Sequence, residues 1–549
     1  MQVNRSKIRL SAALLAVALG AAACGGGSDE ASNGDPADTG QAGGTFSAYI
    51  GEPENPLIPS NTSETEGGQV VDALFTGLVS YDPDSSELKY DGVAESIKSD
   101  DSTTWTIKLK DWSFHDGTPV TSDSFIKAWN YAANSANAQG NSYFFANVVG
   151  YEDLQGKDDA APAKTELAGL KKVDDKSFTV TLTSPFRQYP LTTGYAAFYP
   201  LPETFFASAA AKKAFGEKPV GNGPFKAETA FVKGKGITLV RNEEFAGDKA
   251  KADKVDLKVY TDINTAFTDL QAGNLDIVGS LPTDAIATAE ADFGDKYIER
   301  PSSSFTYMGF PTYDARFADK RVRQAFSMAV DRKAITEAIF SGTRAPAYSA
   351  ISPVVEGSRE DACKYCQYKP DEAKKLLAES GFDTSKPVDL WFNAGAGHDE
   401  WVQAVGNALR DNLGITYKLQ GGLQFAEYLP KGDAKGFTGP FRLGWAMDYP
   451  SAQNYLEPLY STSALAPVGS NQSFYSNVVF DDLIKKGNTA TSDEDAVKAY
   501  QEAEDVLLED MPIMPMFFGL VQGVTSDKVD TVKIDAFTRI RLEDVTVSK

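Results

Sequence analysis

Val255-Asp256-Leu257-Lys258-Val259, then Asp262-Ile263-Asn264-Thr265-Ala266-Phe267-Thr268-Asp269-Leu270-Gln271-Ala272-Gly273, then Leu275-Asp276-Ile277-Val278 is the stretch that decides the fold. Val255, Leu257 and Val259 alternate with polar residues, the period of a half-buried strand. Ala266, Phe267 and Leu270 share a helix face, Gly273 ends that helix, and Leu275 to Val278 is apolar again. Strand, helix, strand is a β-α-β unit, and it predicts α/β architecture.

The same signals recur outward from it. Trp105, Ile107 and Leu109 alternate, as do Phe178, Val180 and Leu182, and both sets predict strands. Asp319 is placed to cap a helix carrying Val322, Phe326, Ala329 and Val330. Asp331 can cap the next, with Ile335, Ala338 and Ile339 inside and Gly342 past its end. A further helix runs from Pro370, suited to a first helical turn, to Gly381, with Ala373, Leu376 and Leu377 on its apolar face. Val388 to Phe392 predicts a strand, Val497 to Leu508 an amphipathic helix, and Met511-Pro512 opens a buried extended run. No internal repeat is visible.

Arg5, Lys7 and Arg9 precede an apolar run from Leu10 to Leu19, followed by Ala21-Ala22-Ala23-Cys24. A basic start, a short apolar core and small residues before a cut site describe a secretory signal over residues 1–23. The run is shorter than the ~20 apolar residues of a membrane span. The cysteine after the small residues resembles the lipobox of bacterial lipoproteins, with Ala21 where such boxes carry Leu. That resemblance implies lipid on Cys24. Residues 24–44, rich in Gly, Ser, Asp, Asn and Ala, cannot bury apolar surface and read as a flexible tether. The protein is therefore expected to work outside the cell membrane while tied to it.

About 505 of the 549 residues follow the tether, enough for two or three lobes. There are 76 Asp and Glu against 53 Lys and Arg, a net charge of −23 that becomes −26 once the three basic residues of the signal are removed. Such a surface argues against nucleic acid or anionic lipid as partners, and its simplest reading is solubility. Beyond Cys24, the cysteines are Cys363 and Cys366. In an exported chain this Cys-x-x-Cys, in the polar loop Arg359 to Tyr368, reads as a local disulfide rather than a redox or metal site. Metal would need further soft ligands, and the only histidines are His115 and His398. No metal or cofactor is expected.

Several segments, in order, carry a family resemblance. They are Trp105 to Lys110 with Phe114-His115-Asp116-Gly117-Thr118-Pro119-Val120-Thr121-Ser122-Asp123; Gly221-Asn222-Gly223-Pro224-Phe225; Arg241-Asn242-Glu243-Glu244-Phe245; Leu270 to Asp276; and Asp319 to Phe326 with Ala329-Val330-Asp331-Arg332. Together they resemble the large extracytoplasmic solute-binding proteins of ABC importers, the oligopeptide- and dipeptide-binding class, across essentially the whole mature chain. The resemblance implies a two-lobed, type II periplasmic-binding-protein fold with an inserted domain and a ligand cleft closed by hinge motion. Lobe I would comprise residues 45–80, 205–303 and 516–549, the inserted domain 81–204, and lobe II 304–515. Read as residues, His115-Asp116-Gly117 is a turn, and Gly221-Asn222-Gly223-Pro224 is a turn that positions a crossover between lobes, lacking the spacing of a phosphate loop.

Phe441-Arg442-Leu443-Gly444-Trp445-Ala446-Met447-Asp448 resembles the family's ligand-facing strand. By that resemblance Asp448 pairs with a peptide ammonium, Arg442 contacts a terminal carboxylate, and Gly444 and Ala446 pair with peptide backbone as in strand addition. A strand extended from Arg442 to Asp448 would put both charges on one face; the competing reading makes Asp448 a turn cap. Trp445 reads as core or pocket wall. Near the mature start, Ile50 and Glu52 are expected to line the cleft, and Tyr143, Phe144 and Phe145 to reach it or form core.

The function implied is capture of oligopeptides or dipeptides and their delivery to an ABC permease and ATPase complex, by a monomer without enzymatic activity. The alternatives are a same-fold binder of a metal chelate, haem or sugar, and an exported serine enzyme using Ser124-Phe125-Ile126-Lys127, for which no Lys-Thr-Gly follows. If Cys24 is the anchor, Cys24→Ser moves the mature protein from the membrane to the soluble fraction or medium; fractionation showing unchanged membrane retention contradicts it.

Overall fold

The computed structural model describes residues 43–62, 64–156, 160–394, 397–466 and 469–548. The expected signal, most of the tether and Cys24 lie outside the described residues. The first strand is Thr45–Ile50, at the expected start of the mature fold.

Its organising element is a mixed sheet of eleven strands. The β-α-β unit sits inside it. Lys254–Val259 and Ile277–Val278 are its strands, and Asp262 caps the intervening helix Ile263–Gln271 by accepting from the N–H of Asn264 (2.7 Å) and Thr265 (3.1 Å). The two strands do not touch: Thr45–Ile50 inserts between them, parallel to both. The N-terminal strand thus completes a unit encoded more than 200 residues later.

Two 13-residue strands, Tyr297–Gly309 and Ile513–Thr525, run antiparallel to one another and connect the halves of the sheet. On one side Ile513–Thr525 pairs with Ile277–Val278; on the other Tyr297–Gly309 pairs with Phe441–Trp445. Between them the register breaks: Pro301 faces Leu520, but Phe305 faces Phe518. Ser302-Ser303-Ser304 therefore forms a bulge opposite the single residue Gly519, whose missing Cβ would lie 2.7 Å from Ser302 Oγ. A bulge bends a strand where ladder bonds are given up. The freed groups are met elsewhere: the Ser303 N–H donates to Ala536 O (2.8 Å), and the hydroxyls of Tyr455 and Ser352 donate to the carbonyls of Ser303 (2.6 Å) and Ser302 (3.1 Å).

The segment assigned to the inserted domain holds a separate antiparallel sheet of Ala94–Lys98, Thr104–Leu109, Ser177–Thr181 and Leu170–Asp174. Its core, around Trp129, Phe125 and Phe178, continues into the core beneath Thr45–Ile50. The helices expected at Lys320–Met328, Arg332–Phe340, Pro370–Ser380 and Asp493–Asp510 are present, the first two capped by Asp319 and Asp331. Cys363 and Cys366 are bonded to each other and buried. The Cys366 carbonyl accepts from Arg332 (2.8 Å), a fully buried guanidinium held by backbone carbonyls, including that of Pro515 (2.5 Å).

Gly221-Asn222-Gly223-Pro224 is engaged with a helix end, and the two long strands connect the halves of the sheet. The turn locks the end of helix Thr65–Leu74: Asn222 accepts from the Thr76 N–H (3.0 Å) and donates to its carbonyl (2.9 Å). A Cβ at Gly221 would lie 1.9 Å from the Leu74 carbonyl oxygen. Gly221→Ala is therefore expected to cost about 2–3 kcal/mol in urea unfolding through overpacking against rigid backbone; a change within 0.5 kcal/mol, roughly the scatter of neutral surface substitutions, contradicts this account of the turn.

Candidate functional site

The site is built on the strand Phe441–Trp445. It pairs residue for residue with Phe305 to Gly309, while Val388–Asn393 meets it only at Trp391–Phe441. Tyr428 covers the Arg442 carbonyl (3.0 Å). Gly444 and Ala446 have no strand partner on that edge among the described residues. Phe441 and Leu443 turn into the core, whereas Arg442 and Gly444 are half-buried on the other face, as the two-residue period requires.

Arg442 is a cation without an anion. Its Nη1 donates weakly to Asn393 Oδ1 (3.3 Å), its Nε is buried with no partner, and no carboxylate pairs with it among the described residues. Burial pulls its pKa down, opposed by the nearby hydroxyls of Tyr428 and Tyr307. His398 lies close enough to feel that charge. Its Nδ1 accepts from Trp401 Nε1 (3.3 Å), and its Nε2 is buried with no partner among the described residues. Burial, reinforced by Arg442, lowers its pKa to about 4, so the ring is neutral at pH 7.

Asp448 is the complementary group. The strand ends at Trp445, so Asp448 lies in the following loop and not on one extended face with Arg442. It is not a turn cap either: neither the Tyr449 nor the Ser451 N–H is given to its carboxylate among the described residues, and Pro450 has no N–H to give. Asn454 holds it. The Asp448 N–H donates to Asn454 Oδ1 (2.9 Å), and Asn454 Nδ2 donates to Asp448 Oδ2 (3.1 Å). The same Oδ1 accepts from Trp445 Nε1 (3.1 Å). Asn454 is buried and positions carboxylate and indole together. Burial pushes the Asp448 pKa up to about 6, and the Asn454 hydrogen bond only partly offsets it. No cation pairs with Asp448 among the described residues.

Aromatic residues of the inserted segment lie near enough to this carboxylate to feel its charge. The Asp448 charge adds to burial in raising the pKa of both Tyr143 and Tyr195. Phe144 stacks between them, its centroid 4.5 Å from that of Tyr143 and 4.4 Å from that of Tyr195. Tyr143 is 53% exposed, whereas Phe145 is fully buried core. Beside them Asn61 accepts from the Gly140 N–H (3.0 Å), and Asn141 donates to the Thr62 carbonyl (2.9 Å). The arrangement is an open strand edge with a bare guanidinium, a bare carboxylate and an aromatic wall facing it.

Residues 90–466 match the family described as bacterial extracellular solute-binding proteins, family 5 Middle. The chain belongs to this family. It is 29% identical over 467 residues to the periplasmic oligopeptide-binding protein OppA of Salmonella typhimurium, covering 81% of each chain. It is 27% identical over 519 residues to the oligopeptide-binding protein OppA of Bacillus subtilis, covering 90% of this chain and 91% of that one. Its fold matches the unliganded open form of the periplasmic murein tripeptide-binding protein MppA with a TM-score of 0.79, at 24% identity, over 93% of this chain and 99% of that one. The α/β, two-lobed, type II architecture is thereby shown.

For this family 5 solute-binding protein, two sequence expectations are redrawn. Ile50 does not turn its side chain toward a cleft; it is 4% exposed and packs in the core of the sheet. Glu52 accepts from the Gly234 N–H (2.7 Å) and pins a turn. Trp445 is half-buried, its polar edge committed to Asn454. Neither His115 nor Ser124 is arranged for catalysis. His115 Nδ1 accepts from the Gly221 N–H (3.1 Å) and Nε2 faces Gly223 O (3.2 Å), with burial holding its pKa near 4. Ser124 closes a capping box and Lys127 pairs with Glu203 (2.5 Å). The residues sequence reading missed are Asn454, His398 and Tyr195; their signal is spatial, since each acts through a partner on another element. Among the described residues no helix is long and apolar enough to cross a membrane.

The raised Asp448 pKa carries a stability cost. A carboxyl whose folded pKa exceeds its unfolded value favours folding below the unfolded pKa and loses that contribution as pH rises through about 6. Asp448→Asn is thus expected to stabilise the unliganded protein by about 3 kcal/mol at pH 8 and by only about 0.5 kcal/mol at pH 4. Equal effects in urea unfolding at both values contradict a strained carboxylate.

Proposed function

We propose that this chain is a lipid-anchored substrate-binding protein that captures oligopeptides outside the membrane and delivers them to an ABC permease, closing its lobes about the Ser302–Ser304 bulge. The observation that carries the reading is the pair of uncompensated charges on one segment: the Asp448 carboxylate and the Arg442 guanidinium, both withdrawn from water and lacking ion-pair partners among the described residues. A zwitterion with a free strand edge between its ends supplies what each lacks. The ammonium pairs with Asp448, the carboxylate with Arg442 beside the unpartnered Nε2 of His398, and the backbone with Gly444 and Ala446. A binder of varied peptides must read the features all peptides share, and these are the ends and the backbone. The relatives named as oligopeptide-binding support the same class.

Two comparisons test it. In calorimetric titration, N-acetylated peptides are expected to bind the wild type about 30-fold or more weakly than free ones, because loss of one partner of a buried charged hydrogen bond costs ~2–5 kcal/mol. In Asp448→Asn the acetylation penalty shrinks, since the partner charge is already gone. C-amidated peptides and Arg442→Met give the matching cycle for the other end. Equal binding of free and acetylated peptides by the wild type would falsify the ammonium assignment and favour a non-peptide ligand.

A further inference from the structure

A hydrogen-bonded seam joins the inserted segment to the Asp448 loop and to the later residues Asn488 and Asp493. The Arg187 N–H donates to Asn488 O (2.7 Å), Arg187 Nε pairs with Asp493 Oδ1 (3.0 Å), and Ser451 Oγ donates to Gln188 Oε1. Gln188 and Ser451 are 7% and 2% exposed, so the bond between them is shielded from water. Next to it lies a cavity of ≈500 Å³ lined from both sides, by Tyr90, Trp105 and Gln188 on one and by Glu356, Pro450 and Ser451 on the other. The seam is thus a bonded contact beside a cavity that both sides line.

Ser451 connects this seam to the ligand site. Its Oγ, while donating to Gln188, accepts from the Gln453 N–H (3.0 Å) and so caps the short helical turn Ala452–Tyr455. That turn carries Asn454, whose amide holds both Asp448 and Trp445. A hydroxyl has one proton to give. With Gln188 taking it, the lone pair of Ser451 is aimed at Gln453; without Gln188 the hydroxyl is free to rotate and the cap loosens.

We infer that Gln188 is a positioning residue for Asp448, acting across the seam through Ser451 and Asn454, so that docking of the inserted segment sets the geometry of the carboxylate. The inference rests on the reading of Asp448 as the ammonium partner for its effect on peptide, but not for its effect on the loop.

The test is Gln188→Ala with two readouts. The first needs no ligand: the fluorescence contributed by Trp445, taken as the difference between each protein and its Trp445→Phe counterpart. Gln188→Ala is expected to change this difference, and to add nothing in a Ser451→Ala background, because the Asn454 amide no longer holds the indole as before. The second is affinity by calorimetry: a free peptide should bind Gln188→Ala about fivefold more weakly, as for loss of one hydrogen bond, and its N-acetylated form should be unaffected. An unchanged Trp445 difference overturns the coupling whatever the peptides do. A changed difference with free and acetylated peptides weakened equally overturns it too, as general damage. Wild-type protein that fails to discriminate acetylated peptides ends the ammonium reading instead, and the coupling then stands or falls on the Trp445 readout alone.

Discussion

A carboxylate and a guanidinium drawn partly out of water, with no ion-pair partner among the described residues, are the constraint around which this molecule is arranged. Removing an ion from water is unfavourable, and a fold normally relieves it by pairing the two charges or neutralising one. Here Asp448 is instead held by a neutral amide, and Arg442 faces an asparagine and a neutral histidine. Direct pairing would quench both and leave nothing for a ligand. Keeping them apart needs rigid support, which Asn454 supplies to one and the strand Phe441–Trp445 to the other.

That strand is fixed in turn by the long strand Tyr297–Gly309, whose bulge at Ser302–Ser304 joins the halves of the sheet. Tyr455, in the turn that carries Asn454, donates to the Ser303 carbonyl within this bulge. The element that can bend and the element that holds the carboxylate therefore share a hydrogen bond. If the lobes close about this bulge as proposed, the bond ties that motion directly to the site.

Much of this was legible in the sequence, and the reasons differ by element. The helices at Lys320, Arg332 and Pro370 announce themselves because cap, apolar face and stop are all local. The β-α-β unit was legible as elements but not as pairing, since the Thr45–Ile50 strand that separates its members comes from the chain's other end. Tyr297–Gly309 was missed because Pro301 and three serines break the alternation at the bulge that matters. At the site, Arg442 and Asp448 were expected from the resemblance to the family's ligand-facing strand, yet the strand thought to align them ends at Trp445. Ile50 and Glu52 were placed at the cleft by their position in the chain alone, and their side chains serve the core and a turn. Asn454 carries no local signal, because a buried amide holding three groups looks like any other asparagine until the loop is folded.

The most direct measurement is the number of protons exchanged when a peptide binds at pH 6, obtained by calorimetry in two buffers of different ionisation heat. A C-amidated peptide is used so that the amino end alone reports. With its carboxyl titrating near pH 6 in the free protein, Asp448 must ionise fully to meet an ammonium, which releases about half a proton per peptide. The account predicts that release in the wild type and its disappearance in Asp448→Asn. Binding with no proton release, or the same release in both proteins, would contradict it.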